Sequence, residues 1–136
     1  MSEERLLERL SALERAPVRR ERFDRGRLLD SILSHLRCML NTRQGGVPIA
    51  PEYGVPDFVD LLQSYPESVR EIETSIRRTI ERYEPRLERV RVTFLPHEDD
   101  RLTLRFHIDA QVHEGGRAAV RFDTALESDG RIFIRR

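Results

Sequence analysis

Apolar positions recur at two different spacings along this chain, and the change falls near residue 84. Before it they step by three and four, the period of a helix; after it they alternate, the period of a strand. Leu6, Leu7, Leu10 and Leu13 form a narrow stripe that predicts a charged amphipathic helix over 3–15, stopped by Pro17. Residues 18–27 read as a polar connector. Leu28, Leu29, Ile32, Leu33, Leu36, Met39 and Leu40 make a wider stripe and predict a second helix over 27–40, followed by glycines at 45 and 46 suited to a left-handed turn. An irregular stretch with Pro48, Pro51 and Gly54 follows. Pro56 suits the first turn of a short helix, 56–63, that buries Phe58, Leu61 and Leu62. Ser64-Tyr65-Pro66-Glu67 has the spacing of a capping box and opens a helix of about 17 residues. Val69, Ile72, Ile76, Ile80 and Tyr83 give that helix one apolar face, and Pro85 ends it.

Alternation then predicts about four strands. Val90, Val92 and Phe94 face one way in the first, and Leu102, Leu104, Phe106, Ile108, Ala110 and Val112 in the second. Ala118, Val120, Phe122 and Thr124 mark the third; Ile132 and Ile134 mark the last. The links at 96–100, 114–116 and 128–130 are short, which implies an antiparallel meander with one buried face. The expected fold class is α+β, with N-terminal helices packed on one face of a C-terminal β-meander. Residues 1–24 are expected to be a helix and connector that dock on a partner or stay mobile, and 25–136 a single α+β domain.

Composition narrows the function classes. The 136 residues carry 24 basic and 24 acidic side chains, a formal net charge of +0, and every basic residue is arginine. A balanced chain is no bulk electrostatic binder of nucleic acid. Charged residues reach 35%, above the roughly 25% of an average domain. With arginine the sole cation, the chain favours planar, bidentate pairing with carboxylates. No apolar run approaches the ~18 residues of a membrane span, and no signal-peptide core follows the first residues. The single cysteine, Cys38, forms no internal disulfide.

Catalytic chemistry finds little support. His107, Asp109, Gln111 and His113 share a strand face, but no third strong ligand stands on a neighbouring strand, so no metal site is expected. His35 and Cys38 are three apart on a helix, where the oxyanion donors of acyl transfer are lacking. No phosphate loop occurs, and no cofactor is expected. Paired carboxylates for a glycosidase are always available among 24 acids, yet arginine neighbours lower carboxyl pKa values rather than raise them. The arginines at 19, 20, 22, 25 and 27 are diluted by Glu21 and Asp24.

Glu84-Pro85-Arg86-Leu87 is more informative. The proline stiffens the chain, and Glu84 and Arg86, two apart, project to the same side at a helix-to-strand junction. The pair either pins that junction or presents a rigid charge pair to a partner. The last strand is a potential sheet edge for strand addition, with Phe133 on its polar face as an anchor.

Met39-Leu40-Asn41-Thr42-Arg43-Gln44-Gly45, Ala50-Pro51-Glu52-Tyr53-Gly54-Val55-Pro56-Asp57 and Glu84-Pro85-Arg86-Leu87, in this order, resemble the TssE family of type VI secretion baseplate subunits. That family is similar to the small wedge protein of contractile phage baseplates, and the resemblance covers about residues 25–136. Met39 stands where leucine is expected, a volume-conserving departure. The resemblance implies a non-enzymatic structural subunit in a cytoplasmic baseplate at the inner face of the inner membrane. It implies contacts with other wedge subunits and with the first ring of the contractile sheath, and the family's Glu-Pro-Arg motif is associated with sheath assembly. The partner-binding residues expected on this reading are Glu84, Pro85, Arg86, Phe133, Arg43, Leu6, Leu10 and Leu13. The alternatives are a lysozyme-like peptidoglycan glycosidase, a label some relatives carry, and a regulatory anti-adapter-type binding module.

Overall fold

The computed structural model describes residues 17–96, 103–113 and 116–136, and side chains from residue 25 onward. The expected helix at 3–15, with Leu6, Leu10 and Leu13, lies outside the described residues. Contacts divide the chain into two compact units, Met1–Ser31 and Ile32–Arg136. Among the described residues, three helices, α1 (Pro17–Leu40), α2 (Phe58–Leu62) and α3 (Val69–Tyr83), precede four strands, β1 (Leu87–Leu95), β2 (Leu104–His113), β3 (Arg117–Leu126) and β4 (Ile132–Arg135).

The helices depart from the sequence reading at their starts. Residues 18–27 are helical rather than a connector. Pro17 is the first described residue of α1, a position a proline tolerates in a helix's first turn, and the arginines and glutamates behind it are strong helix formers. Pro56 precedes α2 instead of lying in it; Asp57 is the cap, its carboxylate accepting the Val59 N–H at 3.1 Å. Only Phe58 of α2 is fully buried, with Leu61 and Leu62 half-buried. The Ser64 capping box does not form. Ser64 N–H donates to Leu61 O at 3.1 Å, so this stretch continues the turns of α2, and α3 begins at Val69. The residue before α3, Ser68, makes no side-chain cap, because its hydroxyl donates back to the Leu61 carbonyl.

The strands form one antiparallel sheet in the order β1-β2-β3-β4, the expected meander. Leu104, Phe106, Ile108, Ala110 and Val112 of β2 are all buried, as are Phe122 and Leu126 of β3 and Ile132 and Ile134 of β4. Ile32, Leu36, Met39 and Leu40 of α1 and Ile72, Ile76 and Ile80 of α3 complete the apolar core. Each of these side chains contributes roughly 1.5–3 kcal/mol by leaving water. One phase shift was not anticipated. Between Glu88 and Arg91 the register slips, with Arg89 at φ 52°, so two residues of β1 face one of β2. This bulge turns Leu87 and Val92 inward and leaves Val90 half-buried.

Both sheet edges carry side-chain caps. On β1, the Phe94 N–H donates to Glu73 Oε2 of α3 at 3.0 Å. On β4, Asn41 at the end of α1 behaves like a short strand. Its Nδ2 donates to Ile132 O and its Oδ1 accepts the Ile132 N–H, both at 2.9 Å. Arg37 Nε adds a 3.3 Å bond to Ile134 O. The β4 edge is therefore partly occupied by the chain's own side chains, a common protection against stray strand pairing. Asn41→Ala removes a donor and an acceptor together and is expected to lower unfolding stability by about 1–3 kcal/mol. Urea denaturation measures this; an unchanged midpoint would show that the cap contributes nothing.

Candidate interaction site around Glu84

The site begins where Pro85 stops α3. Glu84 holds the last helical bond, its N–H donating to Ile80 O at 2.9 Å, and its side chain turns inward until 1% of it remains exposed. A bare carboxylate in that position would cost several kcal/mol. Arg86 compensates it with a fork: Nε donates to Oε1 at 2.7 Å and Nη2 to Oε2 at 2.9 Å. The Arg86 backbone N–H adds a 3.2 Å bond to Oε1. The fourth contact comes from α1, where His35 Nδ1 lies 2.7 Å from Oε2.

Burial alone would raise the Glu84 pKa. The hydrogen bonds from Arg86 and His35 outweigh it and hold the carboxyl below the ordinary glutamate range. In return, the hydrogen bond to Glu84 raises the Arg86 pKa. A carboxyl held ionised in this way is the reverse of a glycosidase general acid, which needs a raised pKa.

The first two motif segments build the wall beside this pair. Val55 N–H donates to Thr42 O at 2.8 Å and Gln44 N–H to Val55 O at 2.9 Å, a short parallel bridge between the segments. Gly54 makes the approach possible: its φ is +106°, and a Cβ there would sit 2.1 Å from Thr42 O. Thr79 Oγ1 of α3 donates to Gly54 O at 3.3 Å, and Glu52 pairs with Arg82. The clasp lays Tyr53 edge-on against Tyr83 at 4.9 Å between ring centres and places its hydroxyl 3.4 Å from His35 Nε2. Burial, with the neighbouring Cys38, pushes the Tyr53 phenol up.

The predicted site residues therefore separate. Glu84 and Arg86 do project together, but the carboxylate is buried in the junction and not displayed; Pro85 is exposed, and the Arg86 side chain is 37% exposed. Arg43 is on the clasp surface, 3.8 Å from Asp57. Phe133 is on β4, opposite Ile132 and Ile134, 53% exposed under the Arg131 guanidinium. Sequence reasoning missed His35 as a partner of Glu84. The signal was there: His35 is three residues after Ile32 and four before Met39, so it falls on a buried stripe where a polar group needs a partner. Cys38 is exposed. Asp109 is engaged by Arg121 at 2.7 Å and Asp123 stands 3.0 Å from His107, and among the described residues no cluster suited to a metal ion occurs.

A family model for baseplate wedge protein gp25 matches residues 26–116, about two thirds of the chain. The chain belongs to this family. The match runs from α1 through the clasp, Glu84–Arg86, β1 and β2, and ends just before β3. Two solved structures share the wedge-protein fold. One is a chain of a baseplate complex from a type VI secretion system, with TM-score 0.60 and 20% identity over 75% of this chain and 96% of that one. The other, from Geobacter sulfurreducens, is described as a putative tail lysozyme, with TM-score 0.55 and 20% identity over 80% of this chain and 92% of that one. A search of curated proteins finds no match.

Glu84→Gln keeps the shape but places an amide where three Arg86 donors and His35 converge, so a loss of about 3–5 kcal/mol is expected. The pH dependence follows from the lowered pKa. Glu84 contributes its full stabilisation above its unfolded value, ordinarily 4.5, and loses it as pH falls through the lower folded value. Denaturation across acid pH should show a steep loss in the native chain and a flatter acid limb in Glu84→Gln; parallel curves would contradict the assignment. Gly54→Ala forces the Cβ onto Thr42 O and should cost about 2–4 kcal/mol by thermal melting.

Proposed function

We propose that this wedge-family protein is a TssE-type structural subunit of a type VI secretion baseplate. It joins the other wedge subunits to the first ring of the contractile sheath and promotes sheath assembly. The family match over residues 26–116 carries this reading. The likeness to a type VI baseplate chain and the earlier motif resemblance support it. The assembly is a large hetero-oligomer at the inner face of the inner membrane. The leucine stripe of Leu6, Leu10 and Leu13 docks the segment 1–24 on a neighbouring baseplate subunit.

The geometry supports distinct roles for the three motif residues. Glu84 serves inside the chain, fixing the guanidinium of Arg86. Arg86, with Pro85 beside it, is the part that an incoming sheath arm meets. The arm adds to the β4 edge beside Phe133, exchanging the Asn41 and Arg37 side-chain bonds for backbone ones. Arg43 and its clasp contact a wedge neighbour. A hydrolytic role is disfavoured because Glu84 is held ionised by Arg86 and His35.

Reversing the charge at Arg86 would strand the buried carboxylate and confuse misfolding with lost assembly. Arg86→Lys is the cleaner variant: it keeps the charge but loses the fork. It is expected to stay folded and to support fewer sheaths, counted by fluorescence of a labelled sheath subunit in cells. Sheath numbers equal to those of the native protein would contradict the role of Arg86. Affinity capture of the native protein should bring down wedge and sheath subunits, whereas recovery of a protease adaptor in their place, or cleavage of cell-wall substrate, would contradict the structural reading.

A further inference from the structure

The sheet has a second face, opposite the core, and its side chains register in rows. Leu95, Arg105, Ala125 and Phe133 are directly paired across all four strands, and the next row is Thr93, His107, Asp123 and Arg135. The first row breaks the polar pattern of this face, since three of its four members are apolar. Phe133 is half exposed, although an aromatic ring loses solvent contact readily when neighbours allow it. A cleft of about 280 Å³ opens here, lined by Leu95, Arg105, Asp123, Ala125, Phe133 and Arg135.

The cleft lies just below the 300–1,000 Å³ range of small-molecule sites, so it suits one or two side chains rather than a cofactor. Its charges are unequal. The Arg105 side chain is exposed and has no ionic partner among the described residues. Asp123 stands 3.0 Å from His107 Nδ1 and 4.0 Å from Arg135 Nε, and Arg131 caps Phe133 with its guanidinium 5.4 Å from the ring centre. An apolar floor between guanidinium groups calls for a ligand with an apolar anchor flanked by carboxylates. A nucleic-acid strand fits less well, because stacking platforms present several aromatics in a basic groove, and this cleft has one aromatic and an aspartate.

We infer that this outer-face cleft is a docking groove for an extended, acidic segment of a partner protein bearing one apolar anchor residue. The anchor seats on Leu95, Ala125 and Phe133, and its flanking carboxylates pair with Arg105 and Arg135. This surface is distant in kind from the Glu84–Arg86 junction and takes side chains on the sheet face rather than backbone on the β4 edge; it shares Phe133 with the proposed sheath-arm site, and a peptide titration reads it without any sheath subunit.

The test is an NMR titration of the isotope-labelled full chain with a synthetic peptide of glutamates around a central phenylalanine. Control peptides carry glutamine for every glutamate, or alanine for the phenylalanine. Saturable shifts centred on Leu95, Arg105, Ala125, Phe133 and Arg135 are expected. Each control peptide, and Arg105→Glu with the native peptide, should bind about tenfold more weakly. The peptide controls hold even if a protein variant folds poorly. Absence of shifts at millimolar peptide, shifts centred elsewhere, or equal binding of the glutamine peptide would overturn the proposal. So would tighter binding of an oligothymidylate, or broadening of the same signals by self-association before peptide is added.

Discussion

A carboxylate buried at the end of α3 sets much of what surrounds it. Glu84 stays ionised out of water only because Arg86 grips it through two nitrogens and His35 approaches from α1. Satisfying it requires the chain to turn sharply at Pro85, to start β1 directly afterwards, and to bring the second half of α1 against the junction. The clasp of residues 42–55 then closes over His35 through Tyr53, and closing it requires a glycine at 54. A motif that reads in sequence as a displayed charge pair is thus an internal fastening with one partly exposed arm.

That arrangement gives a physical sense to the chain's composition. A protein held in an assembly needs surfaces whose charges do not shift when partners arrive. Arginine pairs provide this: Arg86 on Glu84 and Arg121 on Asp109 each fix a guanidinium with two bonds, and Arg131 holds Asp129 through its Nε and its backbone N–H. The exposed pairs add little to stability. Their value lies in orientation, since a pre-positioned side chain loses less entropy when a partner binds.

Much of the architecture was legible because burial follows period. The alternation from Leu104 to Val112 and the stripe Ile72, Ile76, Ile80 were read correctly, as was the meander. The errors fall where a local signal has two meanings. The stretch 18–27 looked like a connector and is helix; Ser64 looked like a cap and is the tail of α2. The bulge at Arg89 left no mark, because Val90, Val92 and Phe94 beyond it still alternate. The site was less legible, for a different reason. His35 meets Glu84 across 49 positions and Asn41 caps Ile132 across 91, and no periodicity encodes a side chain that reaches so far. Only the misfit of a histidine on a buried stripe pointed to such a partner.

The central claim is that Glu84 is a buried carboxylate, held ionised below the ordinary glutamate range, that anchors Arg86. It is tested most directly by following the Glu84 side-chain carboxyl carbon by NMR as the pH is lowered. The account expects Glu84 to titrate clearly below 4.5, the ordinary glutamate value, with the amide signal of Arg86 moving in the same transition. A carboxyl that titrates at or above that value, or one whose titration leaves Arg86 unmoved, would contradict it.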